Sequence, residues 1–106
     1  MYGTVARMRM KSGMEERMRQ TMMGYESAAV PGMIGSLVYQ MDADPQEYLL
    51  VVVFKDKETY FANANSPEQN ARYEDMLTML DGAPEWHDGE ILPVSLATRL
   101  GAGASA

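Results

Sequence analysis

Leu49-Leu50-Val51-Val52-Val53-Phe54 is an apolar stretch whose pattern constrains the architecture of the whole chain. Side chains of a β-strand alternate between two faces, so the odd-numbered residues of this stretch point one way and the even-numbered residues the other. In a chain of 106 residues, one layer of helices covers one of these faces. A second copy of the same chain is the simplest cover for the other face. The stretch therefore predicts a sheet with helices on one side and a homodimer through the other side.

The composition narrows the class of protein. The length fits one domain, and the net charge of −6 argues against nucleic acid, whose phosphates need a clustered basic surface. The absence of cysteine excludes disulfides, thiolate metal ligands and a thiol nucleophile. The chain shows no signal segment, and no apolar run approaches the ~20 residues needed to span a bilayer. We therefore expect a cytoplasmic protein.

Turn and capping signals divide the chain into alternating strands and helices. The predicted elements are a strand over 2–10, a helix over 14–29, strands over 33–41 and 49–54, a short helix over 57–64, a helix over 67–80 and a strand over 86–92. This β-α-β-β-α-β order is that of a ferredoxin-like α+β fold, with a four-stranded antiparallel sheet in the spatial order 4-1-3-2. We expect residues 1–92 to form the domain and residues 93–106 a flexible C-terminal extension.

Local chemistry supports several of these boundaries. Ser12 and Glu15 have the spacing of a capping box, and Asp56 and Ser66 are suitable N-caps for the later helices. Asp88 is followed by glycine, which leaves open a tight turn or a bulge in the last strand. If the last strand lies beside the first, we expect Arg7 to pair with a carboxylate among residues 85–90, either within the subunit or across the dimer.

Several short segments, taken in order, resemble a known family. They are Val5-Ala6-Arg7 with Gly13, Pro31-Gly32-Met33-Ile34-Gly35-Ser36, Val51-Val52-Val53-Phe54-Lys55-Asp56-Lys57-Glu58, Ser66-Pro67-Glu68-Gln69, Arg72-Tyr73 and Glu85-Trp86-His87-Asp88-Gly89-Glu90-Ile91. Over roughly residues 2–92 the chain resembles the antibiotic biosynthesis monooxygenase-like proteins of the dimeric α+β barrel superfamily. The resemblance implies a dimer whose two sheets face each other, and a small cavity between sheet and helices in each subunit.

The resemblance also implies a choice of activities. Some family members are monooxygenases that oxidise quinols or polycyclic aromatic phenols with molecular oxygen and no cofactor, and others degrade heme. The cofactor-free reaction needs an apolar pocket with a base or hydrogen-bond donors that favour the substrate anion. We take His87, Asn63 and Tyr73 as candidate catalytic residues, because imidazole is the usual base near neutral pH. The candidate pocket-lining residues are Trp86, Tyr60, Phe61, Asn65 and Arg72.

Each candidate also has a purely structural explanation. His87 could be a strand-edge residue paired with a carboxylate, and Trp86 a packing residue between sheet and helices. Asn63 and Asn65 precede a helix start, where asparagine commonly satisfies backbone groups. Tyr73 falls on the apolar stripe of its helix and could belong to the core.

The sequence therefore favours one function and leaves an alternative. The favoured function is a cofactor-independent monooxygenase acting on a small aromatic or quinol-type compound, and the alternative is a dimeric protein that binds a small apolar ligand without turnover. Heme degradation is disfavoured, since the first strand offers Thr4 and Ala6 where heme-degrading relatives typically carry asparagine. We expect no cofactor, and one histidine without cysteine predicts no metal site.

Overall fold

The computed structural model describes residues 1–27 and 30–92 of the protein. The strands are β1 (Tyr2–Arg9), β2 (Met33–Gln40), β3 (Glu47–Phe54) and β4 (Glu85–Glu90), and the helices are α1 (Glu15–Ser27), α2 (Lys57–Ala64) and α3 (Pro67–Leu77). Each predicted element has its counterpart, with bounds that differ by a few residues. The predicted C-terminal extension over 93–106 and residues 28–29 of the first predicted helix lie outside the described residues.

The four strands form one antiparallel sheet in the order β2-β3-β1-β4. This confirms the ferredoxin-like α+β fold and the predicted neighbours of every strand. Val5 of β1 lies opposite Val51 of β3 on one side and His87 of β4 on the other. The pairing of β1 with β4 runs without a register shift from Tyr2 to Arg7, so the last element is the predicted strand rather than the alternative of a tight turn or bulge at Asp88.

The hydrophobic core lies between one face of the sheet and the helices. Its buried members are Ala6, Met8, Met10, Met18, Tyr48, Leu50, Met76, Met79 and Leu80. Met14 and Met22 of the α1 region pack against this core on either side of Met18 in sequence, as the 3.6-residue period predicts. Thioether side chains have three rotatable bonds and fill irregular gaps, which suits a core that borders a cavity.

Two of the three predicted helix starts are confirmed. The Asp56 carboxylate accepts a hydrogen bond from the backbone N–H of Thr59 at 2.8 Å, and the Ser66 hydroxyl accepts one from the backbone N–H of Gln69 at 3.1 Å. The prediction of a capping box with Ser12 as the N-cap is wrong, because α1 begins only at Glu15. Gly13 adopts a φ of +86° and turns the chain between these two residues, which separates Ser12 from the first helical turn.

The arginines of β1 pair with β3 and the loop before it. The Arg7 Nε atom lies 3.3 Å from a Glu47 carboxylate oxygen, and Arg9 Nη1 lies 2.7 Å from Asp44 and 3.2 Å from Glu47. Within the subunit, the expected pairing of Arg7 with a carboxylate on β4 is therefore wrong; the pairing across a dimer stays a prediction. Glu85 stands opposite Arg7 in the register, but its carboxylate lies 2.8 Å from His87 Nε2. The Arg7 and His87 pairs involve exposed side chains and each stabilises the fold only slightly, whereas the Arg9 pairs are part-buried.

The described residues leave the second face of the sheet uncovered. We call it the open face; it carries Val5, Leu37, Tyr39, Leu49, Val51 and Val53. Leu37 and Tyr39 are 53% and 55% exposed. This is the exposure that the two-sided apolar pattern of 49–54 predicts for a lone subunit. Among the described residues, no helix is long and apolar enough to cross a membrane.

Candidate active site

A cavity of about 400 Å³ lies between the helix-covered face of the sheet and the helices. Its base consists of the even-numbered side chains Leu50, Val52 and Phe54 of β3. Met22 from α1 and Met76 from α3 add thioether surface on the helix side. An apolar cavity of this volume, with adaptable methionines, suits a small flat aromatic ligand.

Two aromatic side chains form another wall of the cavity. Tyr73 of α3 and Trp86 of β4 both line it, with ring centroids 5.9 Å apart and planes at 52°. Trp86 pairs with Ala6 in the sheet register, which places it on the helix-covered face. The contact between the two rings is a packing contact, and the same rings border the cavity. Tyr73 and Trp86 therefore both contribute to packing and line the cavity.

One polar part of the cavity is a cluster of three side chains, Thr4, Tyr60 and Asp88, which we call the tyrosine–aspartate cluster. The Tyr60 hydroxyl of α2 donates a hydrogen bond to Asp88 Oδ1 of β4 at 2.7 Å. Burial, followed by this hydrogen bond to a carboxylate, raises the pKa of Tyr60. Tyr60 is therefore a neutral phenol at neutral pH and acts as a hydrogen-bond donor.

Thr4 completes this cluster from β1. It stands directly opposite Asp88 in the register and is only 4% exposed. Its Oγ1 atom makes no hydrogen bond of regular geometry with the described residues, although the hydroxyl is close enough to Tyr60 to oppose the rise in that pKa. A buried hydroxyl with unsatisfied hydrogen-bonding capacity at a cavity wall marks a place for a ligand polar atom.

Asn63 and Gln69 form the polar edge of the cavity where α2 meets α3. The Asn63 side-chain amide lies 3.4 Å from Gln69 Oε1, a long and weak contact. The Asn63 backbone carbonyl accepts a hydrogen bond from the Ser66 hydroxyl at 2.8 Å. The backbone of Asn63 thus supports the helix start, while its side chain remains available at the cavity.

The other candidates lie away from this cavity. Phe61 packs against the rings of Tyr60 and Tyr2, with centroids 5.0 and 5.7 Å away. Asn65 is the C-cap residue of α2. Arg72 lines a second cavity, which shares Asn63 with the first, and its Nη1 atom lies 3.5 Å from Oε1 of Gln69 at the edge of the first cavity. His87 lies on the open face with its Nε2 atom 2.8 Å from Glu85 Oε1, which is the strand-edge pairing considered from the sequence.

The structure thus brings together four of the eight predicted site residues, namely Tyr60, Asn63, Tyr73 and Trp86. It adds Thr4, Gln69 and Asp88, which the sequence reasoning did not select. The signal for Asp88 was present, because it lies two residues from Trp86 and so shares its face of the strand. In the part of the chain described, no group of three histidine, cysteine or acidic residues could hold a metal ion.

Comparison with known proteins decides the family. The sequence model of the antibiotic biosynthesis monooxygenases matches residues 1–74, more than half of the chain. The chain belongs to the antibiotic biosynthesis monooxygenase family. No curated protein sequence matches it significantly.

Solved structures with this fold include members of that family. A candidate antibiotic biosynthesis monooxygenase from Deinococcus radiodurans has a TM-score of 0.75 and 11% identity, covering 89% of this chain and 95% of its own. One from Nitrosomonas europaea has a TM-score of 0.71 and 17% identity, covering 88% and 100%. A variant of SnoaB, a cofactor-independent oxygenase from Streptomyces nogalater, has a TM-score of 0.73 and 12% identity, covering 91% and 97%. At these identities the similarity shows the fold alone.

The residues that match the family model do not include the whole candidate site of this protein. Thr4, Tyr60 and Asn63 fall within the matched residues 1–74, together with Tyr73. Asp88 lies beyond them, on β4, although Tyr60 holds it at the cavity. The carboxylate at the cavity is therefore a feature of this chain that the family match does not supply.

Proposed function

We propose that this protein is a cofactor-independent monooxygenase that oxidises a small aromatic, quinol-type compound with molecular oxygen. The observation that carries the proposal is a carboxylate, Asp88, held by a neutral phenol at the wall of an apolar cavity. Membership of the antibiotic biosynthesis monooxygenase family supports an oxygenase. The fold of SnoaB, itself a cofactor-independent oxygenase, supports the absence of a cofactor.

The proposed reaction begins with a proton transfer. The Asp88 carboxylate accepts the proton of a substrate hydroxyl and leaves an aromatic anion, which is electron-rich enough to give one electron to molecular oxygen. The resulting superoxide couples to a ring carbon of the substrate radical and forms a peroxide. Cleavage of its O–O bond leaves one oxygen atom in a new carbonyl group. The second oxygen leaves as water with the two hydrogens that the substrate has lost.

The other side chains at the cavity have supporting roles in this proposal. Tyr60 orients the Asp88 carboxylate, while Thr4, Asn63 and Tyr73 offer hydrogen bonds to substrate oxygens. Hydrogen bonds that strengthen as negative charge develops on the substrate favour its anion. Asp88 takes the role of base in place of His87, because His87 lies on the open face, across the sheet from this cavity.

The proposal includes a homodimer through the open face. This face carries exposed Leu37 and Tyr39 beside the odd-numbered apolar residues of β3. Apolar surface of this extent on a sheet is stabilised when it is removed from water. A second copy offers a matching apolar surface, and two sheets packed face to face give the barrel that the family resemblance implies.

Oxygen uptake tests the proposed activity. We expect the purified protein to consume oxygen above the buffer rate with at least one member of a panel of hydroquinones and anthrones, and to form a product with one added oxygen atom, which is a hydroxyquinone from a hydroquinone and an anthraquinone from an anthrone. Asp88→Asn should lower the rate by about 100-fold or more, as loss of a general base does. Tyr60→Phe should lower it by about tenfold, because the carboxylate loses one orienting hydrogen bond of roughly this worth. Asp42→Asn removes the same charge from the loop before β3 and should leave the rate unchanged.

Two results would contradict the proposal. If the folded protein consumes no oxygen with any compound of the panel, but binds one of them, the alternative of a ligand-binding protein without turnover is favoured. If Asp88→Asn remains fully active, Asp88 is not the base.

A further inference from the structure

The charge of the cavity is set by one residue. Among the described residues that line it, Asp88 alone carries an ionised side chain, and the remainder are apolar or neutral polar groups. No described arginine or lysine lines the cavity; the nearest approach is that of Arg72, whose Nη1 atom lies 3.5 Å from Gln69 Oε1 at the cavity edge. Among the described residues that line the cavity, the Asp88 carboxylate therefore has no cation to balance it.

An uncompensated carboxylate discriminates between ligands by their charge. A second negative charge a few ångströms away is repelled. Water around Asp88, which is exposed, screens part of this repulsion, and the screening weakens toward the apolar base of the cavity that Leu50, Val52 and Phe54 form. An anionic ligand would also lose its hydration there without gaining a cationic partner. The same carboxylate accepts a hydrogen bond from a neutral hydroxyl.

Thr4 points independently to a ligand that carries hydroxyl groups. Its buried Oγ1 atom makes no regular hydrogen bond with the described protein atoms, although it stands opposite Asp88 in the sheet register. A ligand hydroxyl between Thr4 and Asp88 could donate to the carboxylate and use the hydrogen-bonding capacity of the threonine. Asn63 and Gln69, at the edge of the same cavity, suit further oxygen atoms of such a ligand.

From this arrangement we infer that Asp88 is a specificity-determining residue, which makes the cavity bind uncharged aromatic compounds with a donating hydroxyl and reject their carboxylate counterparts. The inference deepens the proposed function, because it defines the charge class of the compound that the proposed monooxygenase would take. It concerns equilibrium binding, so it is tested without turnover.

Binding of two matched probes tests the inference. 2-Naphthol and 2-naphthoate have the same ring system, but at neutral pH the first is uncharged and the second is an anion. The chain contains a single tryptophan, Trp86, which lines the cavity. Its indole N–H gives one assignable signal in a nitrogen-15 correlation spectrum, and the shift of this signal during a titration reports binding in this cavity. We expect the dissociation constant of 2-naphthoate to be at least about tenfold higher than that of 2-naphthol.

Variants then assign the discrimination to one residue. Asp88→Asn keeps the shape of the side chain and removes its charge, so the ratio of the two dissociation constants should fall to about threefold or less. The change should come mainly from tighter binding of 2-naphthoate. Asp42→Asn changes the net charge equally from an exposed loop and should keep the wild-type ratio. If Asp88→Asn does not fold, a third probe tests the role of the charge in the wild type instead. This probe is 2-naphthylmethylamine, a cation of similar size, and the wild type should bind it at least about tenfold more tightly than 2-naphthoate.

Several outcomes overturn the inference. Equal affinity of the wild type for both naphthalenes would do so, as would an unchanged ratio in Asp88→Asn, an equal effect of Asp42→Asn, or a Trp86 signal that no probe shifts. The failure of the proposed function is a separate result. Charge discrimination without oxygen uptake leaves the binding inference standing and removes the oxygenase, whereas oxygen uptake without discrimination removes only the inference.

Discussion

At the scale of single residues, Tyr60 links the chemistry of the cavity to the stability of the fold. Burial and the hydrogen bond to Asp88 keep its phenol protonated in the folded state at a pH where the unfolded chain would lose that proton. The folded protein then binds more protons than the unfolded chain, so the free energy of unfolding decreases as the pH rises above the ordinary tyrosine pKa of 10.0. Burial also raises the pKa of Tyr48, which adds to the same trend.

Replacing Tyr60 should weaken this alkaline dependence. Between roughly pH 9 and pH 11, we expect the free energy of unfolding to fall less steeply in Tyr60→Phe than in the wild type, with the remaining slope due in part to Tyr48. Urea denaturation followed by circular dichroism at several pH values measures both slopes. Parallel curves for the two proteins would show that Tyr60 titrates alike in the folded and unfolded states.

The methionines of this chain differ in burial and therefore in how much they contribute to the stability of the fold. Met8 is 1% exposed in the centre of the core, whereas Met23 is 57% exposed on α1. We expect Met8→Ala to lower the free energy of unfolding by about 2–5 kcal/mol, because it removes buried surface and leaves a cavity. Met23→Ala makes the same chemical change on the surface and should alter the free energy of unfolding by less than about 0.5 kcal/mol. Similar losses in both variants would contradict the assignment of the core to the helix-covered face.

At the scale of secondary-structure elements, the start of α2 depends on one carboxylate. The Asp56 side chain accepts a hydrogen bond from the Thr59 backbone, and the backbone and side-chain hydrogen bonds of Thr59 lower the pKa of Asp56. A lowered carboxyl pKa stabilises the folded state above the unfolded value, and this contribution disappears as the pH falls through the folded value. The helix that carries Tyr60 and Asn63 is thus fixed at its N-terminus by an ionised cap.

Capping variants test this account. Asp56→Ala should lower the free energy of unfolding by about 1 kcal/mol at pH 7, while Asp56→Ser should retain most of the stability, because serine is also a good N-cap. The difference between wild type and Asp56→Ala should shrink as the pH falls from the ordinary aspartate pKa of 3.8 through the lower pKa of the folded state, because the carboxyl is protonated in both states only below the latter. A difference that is constant from neutral to acidic pH would argue against the ionised cap.

At the scale of the whole molecule, the open face governs the state of assembly that we propose. Val51 lies at its centre on β3, opposite Val5 of β1 and Leu37 of β2. Val51→Arg would place a charge within the proposed interface and should raise the dissociation constant of the dimer by at least about a hundredfold. Gln20→Arg adds the same charge at an exposed position of α1 and should leave the dissociation constant of the dimer unchanged.

Size-exclusion chromatography with light scattering measures the mass of these proteins across a dilution series. The wild type and Gln20→Arg should remain dimeric where Val51→Arg is monomeric. A wild type that is monomeric and stable at about micromolar concentration would contradict the dimer, since specific dimers of this type stay associated there.

Much of the fold could be predicted because its signals are local. Alternation in the 49–54 stretch assigned the two faces of β3, and the caps at Asp56 and Ser66 marked two helix starts. Both signals act over a few residues, within reach of backbone geometry alone. The prediction of a capping box at Ser12 was wrong, and the cause is also local. Gly13 takes a left-handed conformation there, and a glycine that permits such a turn does not require it.

The candidate site was decided by the sheet register and by which face the helices cover. The order of residues along β4 is enough to place His87 and Asp88 on opposite sides of the strand, because adjacent residues of a strand always point to opposite sides. Only the tertiary structure assigned Asp88 to the cavity and His87 to the open face, through the pairing of Thr4 with Asp88 and the contact with Tyr60 of α2. A shift of one residue in the register would exchange the two. The register is set by long-range packing of the whole sheet against its helices, which no local pattern in the chain encodes.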